Sequence, residues 1–277
     1  MLKYGEGIKG VVTMKYIRLK TGLNKDHIQN RLNYNPEIIE LHLIEADLYH
    51  PERIIQAIRL LKAKGVRVYL HHPMMYKGQY LDIISSNEKM REHYDWSCEL
   101  LASICKQEQI KCVVHCHYNS SESTDYKDKD KRKETRKRIE TILQISSECF
   151  LWEDTIEGIF SAENPFLFSE IVQPLNLSLN IDISHSFIAL KGDNQKLQKH
   201  LEKFHSFADY FHLVDSTGTF HDSLPLGEGN INWHMVKPYV KDTDFIFEID
   251  LRASKHSDCT PMIKSAAYFN SIGEKEK

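Results

Sequence analysis

An apolar stretch in the second half of the chain, residues 180–190 with the sequence NIDISHSFIAL, carries two polar side chains that could do chemistry. The apolar residues of this stretch indicate a buried strand: Ile181, Ile183, Phe187 and Ile188. Burial penalises Asp182 and His185, which stand three residues apart, unless each of them finds a partner. A carboxylate and an imidazole are typical ligands of a divalent cation, so a bound metal would resolve the conflict.

Similar side chains recur near the ends of other apolar runs, where strands would deliver them to one edge of a sheet. They are Glu40, His42, Glu45, His71, His72, His115, His117, Glu153, Asp154, His212, Asp215, Glu248 and Asp250. One histidine at a strand end is more often an ordinary buried or rim residue than a ligand. So many uncompensated polar groups at one mouth would destabilise the fold, and the whole set therefore predicts a cation. Oxygen and nitrogen donors without thiolate suit Zn²⁺, Mn²⁺, Co²⁺, Fe²⁺ or Mg²⁺.

Eight short runs rich in β-branched residues alternate with segments of helical period, and these runs must position the polar set. The predicted strands cover residues 16–22, 38–46, 66–73, 110–119, 149–155, 175–185, 209–218 and 244–251. Eight strands that each precede a helix predict an α/β fold, a single-domain (β/α)₈ TIM barrel, over residues 14–277. Residues 1–13 are predicted to be an N-terminal appendage. An open doubly wound sheet is the alternative, but no glycine-rich fingerprint follows the first strand to favour it.

Composition and charge restrict the class of protein. The chain has 277 residues, of which 41% are hydrophobic and 27% are charged, with a formal net charge of −3. These values are ordinary for a globular protein and give no global attraction to nucleic acid or to an anionic membrane. The sequence shows no signal peptide and no membrane-spanning run. Its six cysteines form no CxxC pair, which predicts buried free thiols and a cytoplasmic protein.

Four runs of the sequence carry a family resemblance: LWEDTIEG (151–158), NIDISHSFIA (180–189), YFHLVDSTG (210–218) and PLGEGNINW (225–233). Together they resemble the xylose isomerase-like TIM barrel superfamily, which includes sugar isomerases and epimerases and the endonuclease IV-type abasic-site nucleases. The resemblance implies a metal-dependent enzyme.

The isomerase pattern of this superfamily implies one divalent cation, Mn²⁺, Co²⁺, Mg²⁺ or Zn²⁺, bound by four side chains. These are Glu153, Asp182, His212 and Glu248. Glu153 and Glu248 would then move a proton between the two faces of an enediolate, and His185 would serve the substrate hydroxyl groups. The partner implied by this pattern is a small carbohydrate.

The nuclease pattern keeps those four ligands and adds others to hold three zinc ions. The additional candidates for metal or substrate are His72, His117, His185, Asp215 and His221. This chain departs from the pattern, because His221 and Asp222 occur in reverse order and the first strand has no histidine. A sugar or sugar-derivative isomerase or epimerase is the leading prediction, and a zinc-dependent abasic-site endonuclease or phosphoesterase is the alternative. A non-catalytic binding barrel is the least favoured.

Three further features bear on the partners. Residues 125–138 hold eight lysines and arginines against four acids, which favours an exposed helix start over a nucleic-acid contact. The glycines of residues 226–233, LGEGNINW, predict a tight loop whose backbone N–H groups could bind an anion. Trp152 and Trp233 are candidates for lining the mouth and stacking on a sugar ring, with ordinary packing as the alternative. Nucleic acid is thus the less favoured partner, and a homo-oligomer is compatible with the sequence.

Overall fold

The strands are short and mostly buried, as expected of a parallel sheet that is covered on both faces. A computed structural model of the chain describes residues 15–116 and 125–273. The barrel strands are β1 (Arg18–Thr21), β2 (Ile38–His42), β3 (Arg67–His71), β4 (Lys111–His115), β5 (Phe150–Glu153), β6 (Leu179–Asp182), β7 (Ala208–Leu213) and β8 (Asp244–Phe247). Each strand pairs in parallel with its neighbours in sequence, and β1 also pairs with β8, so the sheet closes. The predicted TIM barrel is confirmed.

Helices follow the strands and surround the barrel. They are α1 (Lys25–Leu32), α2 (Glu45–Leu48), α3 (Pro51–Ala63), α4 (Glu88–Glu108), α5 (Lys129–Ile145), α6 (Gln173–Leu175), α7 (Ile183–Ala189), α8 (Asn194–Phe204), α9 (Trp233–Val240) and α10 (Thr260–Ser271). A π-helical segment, Leu167–Val172, precedes α6. Short 3₁₀ turns lie at Asp125–Lys127, His205–Phe207 and Arg252–Ser254. A hairpin of two-residue strands, Met75–Tyr76 and Gln79–Tyr80, follows β3.

The predicted strand at 175–185 is wrong at its carboxyl end, because β6 stops at Asp182. Ile183 lies on α7 instead, together with Phe187 and Ile188, which the sequence had also indicated as part of a buried strand. Asp182 Oδ1 accepts hydrogen bonds from Ser184 N at 2.7 Å and from His185 N at 2.9 Å, which caps the new helix. Every residue of α7 is buried, so its apolar residues do not follow one helical face.

Residues 1–14, 117–124 and 274–277 lie outside the described part of the chain, and so do the predicted appendage at 1–13 and the candidate ligand His117. All six cysteines are buried free thiols, as predicted. No helix of the described residues combines the length and the hydropathy that crossing a membrane requires.

Candidate metal centre

A layer of mostly apolar side chains fills the barrel interior and determines which residues face the mouth. The layer consists of Ile38, Val113, Leu151, Tyr210 and Ile246, with Tyr69 packed against it. Because alternate residues of a strand face the same side, the residue two positions further along each chain segment also points inward. Those residues are Glu40, His71, His115, Glu153, His212 and Glu248. Strand alternation therefore places a layer of polar side chains directly on the apolar layer, and this polar layer forms the floor of the barrel mouth.

Glu153, at the end of β5, is shared by two groups of side chains that could hold a metal ion. The groups are His71, His115 and Glu153, and Glu153, Asp182, His212 and Glu248. Glu153 Oε2 lies 3.2 Å from His71 Nε2 and 2.8 Å from His115 Nε2. Glu153 Oε1 lies 3.1 Å from His212 Nδ1. The two oxygens of one carboxylate thus face two different donor groups.

The second group is arranged around His212 Nδ1. This nitrogen lies 2.5 Å from Glu248 Oε2 and 3.9 Å from Asp182 Oδ2. While Asp182 Oδ1 caps α7, Oδ2 is buried and accepts no hydrogen bond within the described residues. A buried carboxylate oxygen without a donor is unfavourable, and a divalent cation would compensate it. The nitrogen and oxygen donors fit Zn²⁺, Mn²⁺, Co²⁺ or Mg²⁺.

Glu40 and Lys20 support the second group from β2 and β1. Glu40 Oε2 accepts a hydrogen bond from His212 Nε2 at 2.8 Å, which fixes the ring so that Nδ1 faces the carboxylates. Lys20 Nζ forms an ion pair with Glu248 and lies 3.4 Å from Glu40 Oε1. The sequence indicates Glu40 among the polar residues near the strand ends but assigns it no function. Lys20 is not among those residues. Strand alternation is the signal that identifies both, since Lys20 pairs in register with Glu40.

The electrostatics of the floor keep its carboxylates ionised. Although burial raises it, the pKa of Glu153 is held well below its usual range by His115 and His212. Burial lowers the pKa of His115 to about 4, so this ring is neutral at physiological pH. In contrast, Glu40 and Glu153 raise the pKa of His212 well above its usual range despite burial. Binding of a cation to His212 Nδ1 would displace that proton, because a ligating imidazole must be neutral.

His185 stands beside the second group. Its Nδ1 donates to the backbone carbonyl of Asp154 at 2.8 Å, and its Nε2 lies 4.0 Å from Asp182 Oδ2. Although burial lowers it, the pKa of His185 is raised to about 9 by Asp182 and Glu153. The ring of His221 is 4.9 Å away, centroid to centroid. The catalytic role of His185 stays a prediction.

His71 and His115 occupy the positions for which the sequence suggested His72 and His117. The two ring nitrogens of His72 are hydrogen-bonded to a backbone carbonyl and to Ser97 Oγ, each at 2.8 Å. Burial also lowers the pKa of His72 to about 3. His72 therefore serves the packing behind β3, while His117 is outside the described residues.

Asp215, a predicted ligand, anchors a loop instead. Its Oδ2 accepts hydrogen bonds from Gly227 N and Trp233 Nε1, each at 2.8 Å, and its Oδ1 accepts one from Ile231 N at 3.2 Å. The anion bound by the backbone of the LGEGNINW loop is thus this side chain. A Cβ on Gly229 would lie 2.3 Å from Asp215 Oδ1, so only glycine allows so close an approach.

The two tryptophans do not line the mouth. Trp152 is fully buried and alternates with the inward-facing Glu153, so it points to the helices and packs near Phe160 and Leu167. Trp233 is 1% exposed and tied to the Asp215 carboxylate. The mouth-lining prediction is wrong for both residues because each belongs to the packing around the barrel.

The third donor group of the nuclease pattern is not assembled by the residues that the structure describes. Asp222 Oδ2 accepts hydrogen bonds from Thr217 N at 3.0 Å and from Thr217 Oγ1 at 2.7 Å, so its carboxylate belongs to the loop. His221 lines a cavity of about 540 Å³ at the mouth, together with Lys20 and Glu248. A cavity of this volume suits a small molecule.

The basic segment 125–138 forms ion pairs with neighbouring acids. The predicted helix start is confirmed, since α5 begins at Lys129. Arg132 pairs with Glu170 at 2.7 Å, and Arg136 pairs with Glu140 at 3.0 Å. Charges engaged in this way contribute little to phosphate contact.

Replacing Asp215 with asparagine is expected to destabilise the fold, because two of the N–H donors would then face an amide nitrogen. Hydrogen bonds to a buried carboxylate are strong, so we expect a loss of about 3 kcal/mol in the free energy of unfolding. For a chain of this size the melting temperature falls by roughly 6–12 °C, measurable by calorimetry. The exposed Asp209→Asn is the matched control, and a melting temperature equal to that control would contradict the anchoring role.

Replacing Glu40 with glutamine is expected to weaken metal binding while leaving every direct ligand in place. The carboxylate that orients a ligating imidazole typically contributes about 10–100-fold to metal affinity. Competition with a chromophoric chelator measures the dissociation constant. Glu37→Gln, at the more exposed end of the same strand region, is the control, and an affinity unchanged by Glu40→Gln would remove the orienting role of Glu40.

The sequence pattern of the family described as "Xylose isomerase-like TIM barrel" matches residues 37–267, and the chain belongs to this family. The uncharacterized protein MJ1614 of Methanocaldococcus jannaschii is 26% identical over 212 residues, which are 73% of this chain and 76% of that protein. A D-tagatose 3-epimerase-like protein has a TM-score of 0.71 at 18% identity, covering 92% of this chain and 96% of that chain. The TTHB071 protein from Thermus thermophilus, soaked with ZnCl₂, has a TM-score of 0.68 at 14% identity, covering 94% and 98%. The two structural likenesses concern the fold alone.

Proposed function

We propose that this protein is a metal-dependent phosphoesterase that holds two divalent cations, with Glu153 as their common ligand. The observation that carries the proposal is the division of the Glu153 carboxylate. Its Oε2 faces His71 and His115, whereas its Oε1 faces His212. A sugar isomerase of the predicted type needs only one of these groups, whereas paired cations are typical of phosphate chemistry. On this observation we prefer the phosphoesterase to the isomerase that the sequence favoured.

The charge at the floor also favours two cations. Four carboxylates and one ammonium meet there: Glu40, Glu153, Asp182, Glu248 and Lys20. One divalent cation with Lys20 gives three positive charges against four negative, so the floor stays negative. Two divalent cations give five against four, which attracts an anionic phosphoester.

The residues of the chain divide the remaining work. Bound cations at such sites polarise a phosphoryl oxygen and lower the pKa of a water molecule. Lys20 lines the mouth cavity beside Glu248 and adds fixed positive charge where a phosphoryl group would bind. His185 stands at the edge of the floor, with its Nε2 4.0 Å from Asp182 Oδ2, so it is placed to protonate the leaving oxygen.

A one-cation sugar isomerase or epimerase is the second candidate. It is favoured by one feature, the completeness of the four-ligand group without the two histidines of β3 and β4. In that case Glu153 and Glu248 would exchange a substrate proton, and a small carbohydrate would be the partner.

Metal content and reaction type together separate the two candidates. About two zinc ions per chain, measured by elemental mass spectrometry on untagged reconstituted protein, would support the phosphoesterase. Chelator-sensitive cleavage of bis(4-nitrophenyl) phosphate or of an abasic-site duplex would complete that case. About one ion per chain, with exchange of a ketose C–H for solvent deuterium, would support the isomerase instead. No ion after reconstitution would contradict both.

The adjacent histidines of β3 provide a matched pair of variants. His71→Ala is expected to lower the metal content by about one ion per chain, because it removes a ligand from a group of three. His72→Ala is expected to leave the content unchanged, since the His72 ring is engaged with Ser97. Elemental mass spectrometry on both variants makes the comparison. A loss of metal on His72→Ala alone would show that the donor assignment is wrong.

A further inference from the structure

A second set of polar side chains lines the mouth cavity on the side of β1 and β8. It consists of Thr21, His27, Arg31 and His256. None of these residues belongs to the donor groups of the metal centre. Some hydrogen-bond donors of these four side chains have no acceptor among the described residues.

Arg31, on α1, is 1% exposed, yet its hydrogen bonds go only to neutral acceptors. Its Nε donates to the carbonyl of Lys20 at 3.3 Å, and its Nη1 donates to Asn30 Oδ1 at 3.2 Å and to the carbonyl of His256 at 2.7 Å. Its Nη2 has no acceptor in residues 15–116 and 125–273. The carboxylate of Asp258, whose charge acts on Arg31, is already hydrogen-bonded within its own loop. A buried guanidinium without a bonded carboxylate is a charge that lacks its counter-ion.

Thr21 and the two histidines add further donors around the same space. Thr21 Oγ1 is buried and has no hydrogen-bond partner among the described residues. The rings of His27 and His256 stand 6.4 Å apart, centroid to centroid. Burial, and to a smaller extent the charge of Arg31, lower the pKa of His27.

The position of His256 is held by the backbone. Lys255 and His256 have φ angles of 50° and 62°, a left-handed conformation that is unfavourable for residues with a Cβ. The hydrogen bond from Arg31 Nη1 to the His256 carbonyl secures this turn. The Arg31 guanidinium therefore holds the turn at His256 through Nη1 and directs its free Nη2 to the cavity.

We propose that Thr21, His27, Arg31 and His256 form a phosphate-binding subsite, which holds a phosphate group of a small substrate while the metal centre acts on another bond. Arg31 Nη2, the Thr21 hydroxyl and one N–H from each imidazole supply donors to the several oxygens of a phosphate. The inference rests on the proposed function only in placing the substrate in the mouth cavity. Which bond reacts at the metal centre does not enter it.

A small phosphorylated molecule fits this pocket better than a nucleic acid does. The cavity measures about 540 Å³, which is the size of a small-molecule site. The chain carries a net charge of −3, and the three arginines of its basic segment are paired with Glu170, Glu140 and Asp95. Pairing of these arginines with carboxylates weakens the attraction of α5 for a long polyanion.

Calorimetric titration of the zinc-loaded protein with inorganic phosphate tests the subsite. The double variant His27→Ala/His256→Ala is expected to weaken phosphate binding at least about tenfold, the effect of losing hydrogen bonds to a charged group. Arg31→Lys should cause a similar loss, and the exposed His50→Ala should cause none. The metal-depleted Glu153→Gln variant should keep its phosphate affinity within about threefold, since the subsite does not use the cations. A small sugar phosphate should displace phosphate from the site.

Wild-type affinity in the double histidine variant would overturn the subsite even if Arg31→Lys failed to fold. Loss of all binding in Glu153→Gln would likewise overturn it, because phosphate would then bind the cations only. Displacement by a duplex oligonucleotide but not by a sugar phosphate would overturn the choice of a small ligand. A different result would contradict the proposed reaction alone. In that case phosphate binding would depend on His27 and His256, but the protein would cleave no phosphoester.

Discussion

Replacing Glu153 with glutamine is expected to remove both cations and to lower turnover by on the order of 10³-fold or more. The reason is the position of the carboxylate, whose two oxygens face His115 on one side and His212 on the other. An amide has one oxygen and carries no charge, so it cannot serve two donor groups at once. The group of His71 and His115 would keep no carboxylate, and the second group would lose the charged oxygen that lies beside His212. Turnover and metal content per chain should therefore fall together.

The exposed Glu228→Gln, on the loop before α9, is the matched control for Glu153→Gln, because it makes the same chemical change away from the floor. It should keep both ions and full activity. Circular dichroism should show the same helix content for both variants, since the substitution leaves the backbone pairing of Glu153 with the neighbouring strands unchanged. A Glu153→Gln protein that keeps two ions, or that turns over near the wild-type rate, would remove the shared-ligand mechanism.

The barrel itself could be predicted from the sequence because its physics is periodic. Each apolar run of β-branched residues must be a buried strand, and each following amphipathic segment must cover it. All eight strands were found in this way, with errors at their ends. The error at the carboxyl end of 175–185 has a clear cause, because Asp182 ends the strand by capping α7, a local event that hydrophobicity does not show.

The sequence indicated the kinds of side chain at the site, carboxylates and imidazoles, more accurately than it indicated which residues supply them. Glu153, Asp182, His212 and Glu248 form one group, as the resemblance implied. The structure brings His71 to Glu153 and the ring of its neighbour His72 to Ser97, and the sequence does not separate them, because two adjacent histidines differ only in which face of the strand they occupy. Counting two residues forward from the inward-facing Tyr69 would have selected His71, but which residues face inward depends on the register of the whole barrel.

The remaining errors concern residues whose partners are distant in sequence. Asp215 looks like a ligand until the loop that follows closes on it with Gly227 N and Trp233 Nε1. The subsite residue Arg31 looks like an ordinary helical arginine until its contact with His256, 225 residues away, is seen. Neither contact has a periodic signal, so only the closed fold reveals them. The free Nη2 edge of Arg31 and the free oxygen of Asp182 are therefore the observations that the structure adds to the sequence.

Replacing Glu248 with glutamine is expected to remove one cation and to lower turnover by on the order of 10²–10³-fold. Glu248 belongs to the four-ligand group only, so the group of His71, His115 and Glu153 keeps its donors. Although burial raises it, the pKa of Glu248 is held well below its usual range by Lys20 and His212. The carboxylate is thus a full negative charge in the protein, and the amide would leave Lys20 without its nearest counter-charge.

The metal content of Glu248→Gln discriminates between the two candidate functions. In a two-cation phosphoesterase about one ion per chain remains, whereas a one-cation isomerase with the same substitution keeps essentially none and also loses solvent deuterium exchange. Asp250→Asn, two residues further along the same segment and paired with Arg252, should retain the full metal content. Retention of every ion in Glu248→Gln would show that this carboxylate is not a ligand. Loss of every ion from a protein that starts with two would contradict the independent filling of the two groups that share Glu153.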